Sequence, residues 1–333
     1  MRSLVVLAFA LLAAAAFGQD SKQVALDSIS AESIHKDIRF LADDKFKGRY
    51  ARSPEAIEAA KWIAGEFEKA GLTPVAGGDG FFHAIGDVEL APNVVGIRKG
   101  SGSRVILITA HYDHLKPLPS TEHPMSREGR TIFAGADDNA SGVAGVLAVA
   151  RAMQQADLRL DASVVFVAFS AEELGLRGAR FLAGKPPVAL ASIDALLNMD
   201  MISRGEPDLI FIDGPTYAAE LKSRLDAANK QLTQEIVGHT LRTQFDKHPD
   251  WLMRSDQGPF IRRRVPCVLF SVEDHADYHQ VTDTPDRVMP ELAQRVARLV
   301  LATAVDLSIN PPQPVQAPQT QPTTGPSTIQ PIR

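Results

Sequence analysis

Two apolar stretches decide the fold class of this chain: Arg104-Val-Ile-Leu-Ile-Thr-Ala-His111 and Val164-Val-Phe-Val-Ala-Phe-Ser170. Both are rich in β-branched and aromatic residues and lack polar alternation, which is typical of strands buried on both faces of a sheet. Further strand-like runs lie at 195–199, 208–213 and 266–272, and helical patterns lie at about 140–155, 176–183, 216–231, 256–263 and 290–307. Alternating strands and helices predict an α/β fold with a mixed, mainly parallel central sheet and helices on both faces.

Helical periodicity precedes these strands, in two amphipathic segments that begin at Ser30 and Ser53. Pro54 is suited to the first position of the second helix. Segments 93–98 and 104–110 come next and are separated by a glycine- and serine-rich turn at 99–103. We predict that these two segments form adjacent strands.

The first 19 residues have the composition of a signal peptide. Arg2 gives a positive start, Leu4 to Phe17 form an apolar run, and Ala16-Phe-Gly18 offers small residues for cleavage. The run is too short to span a bilayer core of roughly 30 Å, so we predict cleavage rather than a retained anchor, and no stable membrane insertion. The only cysteine, Cys267, can form no internal disulfide. We therefore predict an exported protein, either periplasmic or secreted, that is stabilised by its core and by metals.

The remaining chain divides into one domain and a tail. Residues 20–309 are long enough for a single large α/β domain. Residues 310–333 contain 7 prolines with many Gln and Thr residues, and we predict disorder there because so little apolar area cannot offset the entropy of ordering. The formal net charge is −5, and no basic block suggests a nucleic-acid partner. The sequence leaves the oligomeric state open.

Side chains that bind metal ions follow several of the strands or begin a helix. In chain order they are His111, Asp138, Glu172, Glu173, Asp200 and His279. Ligands of an open α/β sheet bind at the carboxyl ends of its strands, so these side chains are expected to meet there. Such a set of histidines and carboxylates predicts a two-metal hydrolytic centre.

His111 begins the motif His111-Tyr-Asp-His114. A lone histidine after a strand is more often a hydrogen-bonded structural residue than a ligand. Here Asp113 is placed to accept the second ring N–H of His111, which would fix the tautomer and raise the basicity of the ligand. His114 is open to three interpretations: a ligand, a substrate contact or an ordinary loop residue.

The acidic residues also have simpler explanations. Asp138, in Gly135-Ala-Asp-Asp-Asn-Ala-Ser-Gly142, would serve as a helix cap, although two acids and two glycines exceed what a cap needs. Glu172 and Glu173 would be solvated loop residues, but their adjacent side chains project differently, so one can bind metal while the other faces the water. Asp200 is a charge inside an apolar run, where an acid is rare unless it is paired or coordinating.

His279 lies in a loop without apolar periodicity and would be uninformative alone. The charges of the complete set nevertheless agree with two metal ions. Two Zn²⁺ carry four positive charges, and Asp138, Glu173 and Asp200 carry three negative ones. One hydroxide would make the site neutral and leave Glu172 free for proton transfer. Nitrogen and carboxylate ligands without thiolate suit Zn²⁺, and Co²⁺ or Mn²⁺ would also fit.

Five motifs together resemble one enzyme family. They are His111-Tyr-Asp-His, Gly135-Ala-Asp-Asp-Asn-Ala-Ser-Gly, Ser170-Ala-Glu-Glu-Leu-Gly, Asn198-Met-Asp, and Tyr278-His279 followed by Asp283-Thr-Pro. They are similar to those of the co-catalytic di-zinc aminopeptidases of the bacterial leucyl and aminopeptidase S type, over roughly residues 39–307. The resemblance implies the three-layer fold of zinc exopeptidases, similar to that of phosphorylases and hydrolases.

The resemblance also implies a set of metal ligands. His111 and Asp200 would hold one zinc ion, and Glu173 and His279 would hold the other. Asp138 would bridge the two ions. Some members of this family carry an inserted protease-associated domain before the strand at residue 93, and the segment 74–93 is too short for one.

The resemblance further assigns catalytic roles and shows two departures. Glu172 would be the general base, Tyr278 an oxyanion donor, and the peptide bond to Asn139 would be cis. Family members often carry Ser-Asp-His where this chain has Ser-Asp-Gln257, and His-Thr-Pro where this chain has His279-Gln-Val. Neither change removes a ligand, but both are expected to reshape the substrate pocket.

The predicted function is that of an exported zinc aminopeptidase acting on peptides with a free amino terminus. An α-amine suits a neutral site with nearby carboxylates, whereas an α-carboxylate would prefer clustered Arg or Lys. The run Arg262-Arg-Arg264 is the exception, and we interpret it as a solvated helix end. The alternatives are a carboxypeptidase, a glutaminyl cyclase (a relative that uses one zinc) and a non-catalytic protein with a relict site.

Overall fold

The computed structural model describes residues 20–216 and 218–311. The predicted signal peptide and all but the first two residues of the predicted tail lie outside the described residues. Within the described part of the chain, no helix is both long enough and apolar enough to cross a membrane.

Eight α-helices and nine strands are described. The helices are α1 (20–28), α2 (Ala31–Leu41), α3 (Pro54–Lys69), α4 (Gly142–Gln155), α5 (Arg177–Gly184), α6 (Ala219–Glu235), α7 (Gln257–Ile261) and α8 (Pro290–Ile309). The strands are β1 (Thr73–Pro74), β2 (Phe82–His83), β3 (Asn93–Arg98), β4 (Val105–His111), β5 (Ser163–Phe169), β6 (Ile193–Met199), β7 (Leu209–Asp213), β8 (Arg242–Phe245) and β9 (Cys267–Ser271). Helices α2 and α3 begin where predicted, directly after Ser30 and Ser53, and the side chain of each serine accepts a backbone N–H three residues on.

The strands form one mixed sheet in the order β1-β3-β5-β4-β6-β9-β7-β8, with β2 paired to β3. The four central strands β5, β4, β6 and β9 are parallel to one another. Antiparallel pairs join β3 to β5 on one side and β7 to β9 on the other. The prediction of an α/β fold with a mixed, mainly parallel central sheet is confirmed.

The prediction that 93–98 and 104–110 form adjacent strands is wrong. β5 lies between β3 and β4, antiparallel to β3 and parallel to β4. The turn at 99–103 therefore crosses two strand spacings, or about 10 Å. Sequence pattern could not reveal this because β3, β4 and β5 are all almost wholly buried and look alike as apolar runs.

Helices cover both faces of the sheet, as predicted. Alternate residues of β4 point to opposite sides: Ile106 and Ile108 pack in a core with α2, α3, α4 and α8, while Leu107 packs in a second core with α5 and Phe260 of α7. Burial on both faces keeps the central strands fixed. Their carboxyl ends therefore form a rigid edge on which loops can place side chains accurately.

Candidate metal centre

The six predicted metal-binding and acid–base residues meet at the carboxyl edge of the central strands. His111 is the last residue of β4 and is in parallel register with Phe169, the last residue of β5. Glu172 and Glu173 follow β5, and Asp200 follows β6 directly. Asp138 comes from the irregular turn Ala136–Ser141 before α4, and His279 from the loop after β9.

The ligand atoms fall into two groups that share Asp138. In the first, His111 Nε2 lies 3.1 Å from Asp200 Oδ1 and 3.4 Å from Asp138 Oδ1. In the second, His279 Nε2 lies 3.2 Å from Asp138 Oδ2 and 3.3 Å from Glu173 Oε2. Asp138 therefore offers one carboxylate oxygen to each group, as a bridging ligand would.

These separations match the geometry of zinc. Two ligands of a tetrahedral zinc ion with bonds of about 2.0 Å lie roughly 3.3 Å apart. Ring nitrogens and carboxylate oxygens without thiolate are also the donors expected for zinc or a similar divalent ion. Two sets of three side chains could each hold a metal ion: His111, Asp138 and Asp200, and His114, Asp138 and Glu173. His279 adjoins the second set through Asp138 and Glu173.

The electrostatics of the cluster favour a cation. Burial lowers the pKa of His279, but hydrogen bonds to Asp138 and Glu173 outweigh burial and raise it to about 10. Burial opposes the charged form of His111 as well, yet Asp200 and Glu172 hold its pKa well above the usual value. Three buried carboxylates repel one another, so either protons or metal ions must neutralise them.

Asp113 does not make the contact predicted from the sequence. The backbone carbonyl of Asp113 accepts from His111 Nδ1 at 3.1 Å, while its carboxylate Oδ1 lies 3.9 Å from that nitrogen. The carboxylate instead accepts the backbone N–H of Glu172 at 3.0 Å, because the ends of β4 and β5 are neighbours. The tautomer of His111 is still fixed, with Nε2 free to bind metal. Asp113 therefore positions both His111 and Glu172.

Two further side chains, which the sequence analysis did not assign to the site, form hydrogen bonds that orient the predicted ligands. Ser255 donates to Asp200 Oδ2 at 2.6 Å, which leaves Oδ1 facing His111. Asp283 accepts the backbone N–H of Asp138 at 3.1 Å. Asp283 belongs to one of the motifs that mark the resemblance, and Ser255 lies in the stretch that departs from it at Gln257, but no local pattern shows which ligand each one touches.

Arg49 is fully buried beside the site, and no carboxylate of residues 20–216 or 218–311 lies within hydrogen-bond distance of its guanidinium. Its guanidinium donates to the backbone carbonyls of Leu41, Tyr112, Ala134 and Gly135 at 2.6–3.0 Å. Burial lowers its pKa to about 10. Arg49 therefore ties the segment after β4 to the segment that carries Asp138.

Glu172 is separate from both groups of ligand atoms. Burial raises its pKa well above the usual value, Asp256, Glu173 and Asp200 raise it further, and His111 opposes the shift. A buried carboxylate with a raised pKa is suited to accept and return a proton. Glu172 also lines the cavity that opens onto both groups of ligand atoms.

The backbone around the site adopts conformations that L-residues rarely use. Ala171, Met201 and His279 have φ values of 56°, 61° and 53°, and each is itself a predicted ligand or lies next to a predicted site residue. Such strain clusters at functional sites, where the surrounding structure fixes it. The peptide bond between Asp138 and Asn139 is cis, as the resemblance implies.

Tyr278 lies against the second group of ligands. Its ring stacks on that of His279 with 4.0 Å between centroids. Burial and the carboxylates of the site raise the pKa of Tyr278, so its hydroxyl stays protonated and able to donate. This is compatible with the predicted oxyanion donor.

A cavity of about 80 Å³ opens onto both groups of ligand atoms. Its walls include apolar side chains from Met201, Trp251 and Leu269. Arg254 and Asp274 add one charge of each sign. The run Arg262-Arg-Arg264 is exposed and does not line this cavity, in agreement with its interpretation as a solvated helix end.

Gln257, which departs from the pattern of the family, shapes the cavity wall. Its amide nitrogen donates to the carbonyls of Trp251 and Leu252, at 3.2 and 3.1 Å. Its amide oxygen accepts from Asn198 Nδ2 at 2.9 Å. Gln257 thereby anchors the turn that presents Trp251 to the cavity.

Comparison with known proteins gives consistent matches. The model of peptidase family M28 matches residues 93–304. A probable zinc metalloprotease of Pyricularia oryzae is 29% identical over 306 residues, which are 77% of this chain and 59% of that protein. The chain spans about half the length of the curated relatives it matches.

Two solved structures have the same fold. The Legionella pneumophila LapA aminopeptidase has a TM-score of 0.68 at 18% identity, covering 87% of this chain and 74% of that one. A Porphyromonas gingivalis glutaminyl cyclase has a TM-score of 0.63 at 18% identity, covering 83% and 97%. At these identities the likeness concerns the fold alone.

Proposed function

The chain belongs to peptidase family M28, and from this premise we propose that it is an exported aminopeptidase that uses two zinc ions. One observation carries the proposal. Asp138 directs its two oxygens to two separate groups, each with the ligand spacing of a tetrahedral zinc ion. A site for one metal ion, or a purely structural site, would not require the two oxygens of Asp138 to face different groups of ligand atoms.

The residues of the chain have distinct roles in this proposal. When bound, two metal ions would polarise the scissile carbonyl and lower the pKa of water to near neutrality. Glu172 accepts the proton from the attacking water and returns it to the leaving amine. Tyr278 donates a hydrogen bond to the carbonyl oxygen as negative charge develops there.

The cavity supports an amino-terminal substrate. A protonated α-amine is attracted by the carboxylates of Glu172 and Asp200 and by Asp274 at the cavity wall. Met201, Trp251 and Leu269 offer apolar surface to the first side chain, so we infer a preference for apolar amino-terminal residues.

Two other activities have a specific observation in their favour. Arg254 lines the cavity and would bind a substrate carboxylate if the enzyme were a carboxypeptidase. The fold is shared with a glutaminyl cyclase, so cyclisation of amino-terminal glutamine is the other activity to be tested. The second group of ligand atoms distinguishes our proposal from the cyclase, because one zinc ion would not need it.

The test is a panel of peptides assayed with and without a chelator. We expect aminoacyl amides and free peptides to be cleaved, N-acetylated peptides to resist, and chelation to abolish activity that zinc restores. Elemental analysis should approach two zinc ions per chain. Cleavage of acetylated peptides with a free carboxyl terminus would instead indicate a carboxypeptidase, and cyclisation of glutaminyl peptides a cyclase. One ion or none after zinc loading would refute the two-zinc centre.

Export has its own test. The full chain and a variant that lacks residues 1–19 are compared by cell fractionation in a Gram-negative host. We expect the full chain outside the cytoplasm and shortened by about the length of the signal peptide. Retention of the uncleaved full chain in the cytoplasm would contradict the proposal.

A further inference from the structure

His114, whose role the sequence leaves open, lies against the second group of ligand atoms. The side chain is fully buried. Its Nδ1 is 2.7 Å from Glu173 Oε1, whereas Glu173 Oε2 faces His279 at 3.3 Å. The two oxygens of Glu173 are thus divided between two histidines.

The distances to Glu173 and Asp138 distinguish His114 from His279. His114, Asp138 and Glu173 all offer atoms near enough to hold an ion together. A distance of 2.7 Å is nevertheless that of a charge-assisted hydrogen bond and is shorter than the roughly 3.3 Å between two ligands of one tetrahedral zinc ion. The pairs made by His279, at 3.2 and 3.3 Å, do have the ligand spacing.

The tautomer of His114 follows from its partner. An ionised carboxylate can only accept hydrogen bonds, so the proton facing Glu173 resides on Nδ1. The backbone of Gly135 packs closely against the ring of His114, since even a Cβ added to Gly135 would lie only 2.7 Å from ring atoms. The ring therefore has little room to turn. Nε2 is buried and has no hydrogen-bond partner among the described residues, so Nδ1 alone serves the site.

We propose that His114 is a positioning residue, which holds Glu173 as a one-oxygen ligand of the second ion. By occupying Oε1, it directs Oε2 toward His279 and Asp138 and prevents both oxygens of Glu173 from turning to the metal. This inference rests on the proposed two-metal function. Residues that orient a metal ligand typically change metal affinity by 10–100-fold when they are removed.

Two substitutions separate positioning from direct coordination. In His114→Asn the amide nitrogen replaces Nδ1 and can still donate to Glu173. In His114→Gln the longer side chain brings its amide near the position of Nε2, from which it cannot donate a hydrogen bond to Glu173. Neither amide replaces a ring nitrogen as a zinc ligand. Zinc affinity is measured by chelator competition on wild type and both variants. The absorption spectrum of the Co²⁺-loaded proteins gives a second readout, because band intensity falls as coordination number rises.

We expect His114→Gln to weaken the binding of one ion by 10–100-fold, to leave the other ion unchanged and to lower the Co²⁺ absorption. His114→Asn should stay within a few-fold of wild type in both measurements. Equal loss in both variants, with wild-type circular dichroism, would identify His114 as a direct ligand and overturn the inference. Unchanged affinity in both would also overturn it. A wild-type protein that binds fewer than two ions would overturn the two-metal function itself, and with it this inference.

Discussion

At the metal centre, the two oxygens of a single carboxylate contact different partners. Asp138 divides its two oxygens between two groups of ligands, and Glu173 divides its own between His114 and His279. Asp200 likewise offers Oδ1 to His111 while Oδ2 accepts from Ser255. Each carboxylate is therefore held in one orientation before a metal binds, which reduces the ordering that binding requires.

The adjacent glutamates give a prediction at the scale of the residue. Glu172→Gln should keep both metal ions and lose a factor of about 10²–10⁴ in kcat, because only the proton acceptor is removed. Glu173→Gln, its matched control, should lose metal affinity, since Oε2 belongs to the second group of ligand atoms. Metal analysis and steady-state kinetics measure both effects. Release of metal by Glu172→Gln, or full activity in that variant, would show that the roles are misassigned.

At the scale of elements, the start of α4 meets the end of β6 without room for a side chain. A Cβ on Gly142 would lie 2.3 Å from the carbonyl oxygen of Met199 and 2.4 Å from Asn139 Oδ1. This close approach lets Asn139 donate to Met199 and accept from Gly142. The position of Asp138 therefore depends on how tightly a helix packs on a strand.

Two glycine substitutions test this packing. Gly142→Ala should destabilise the protein by about 1–3 kcal/mol through forced displacement of the backbone, and should weaken metal binding. Gly65→Ala in α3 is the matched control, because its Cβ would have no atom within 4 Å. The control should gain about 0.5–1 kcal/mol from the helical preference of alanine. Thermal unfolding at a fixed scan rate compares them; equal midpoints would show that the close packing at Gly142 is unimportant.

For the whole molecule, a buried histidine far from the metal centre links stability to pH. Burial, together with the positive charges of Arg298 and Arg295, lowers the pKa of His239 to about 4. The unfolded chain has a histidine pKa of about 6.5. Above pH 6.5 His239 is neutral in both the folded and the unfolded state, so its contribution to the free energy of unfolding is fully present. As the pH falls from 6.5 to 4, only the unfolded state takes up the proton, so stability is lost in that window.

The contribution of His239 is measured as a difference between two proteins. We expect wild type to lose on the order of 2–3 kcal/mol more than His239→Gln between pH 7.5 and pH 4.5. Denaturant unfolding at both values gives this difference and cancels the carboxylates common to both proteins. Identical pH dependence in the two proteins would show that His239 takes up its proton equally in the folded state.

The sequence by itself determined the fold class, and it identified the residues that meet at the metal centre. Both follow from information that is local in the chain. Apolar runs indicate buried strands, and in a parallel sheet every strand has its carboxyl end at the same edge. His111, Glu173 and Asp200 could therefore be assigned to one place, because each follows such a run.

Only the tertiary structure decided which strands are neighbours and which atom contacts which. The insertion of β5 between β3 and β4 left no trace in their apolar patterns. The carboxylate of Asp113 contacts Glu172 rather than His111, and His114 holds Glu173, because loops distant in sequence pack together at the sheet edge. The sequence pattern of one element indicates which of its residues are buried and where the element ends. Whether two side chains lie at hydrogen-bond distance or at the spacing of two metal ligands differs by less than 1 Å, and that distance is set by the packing of many elements together.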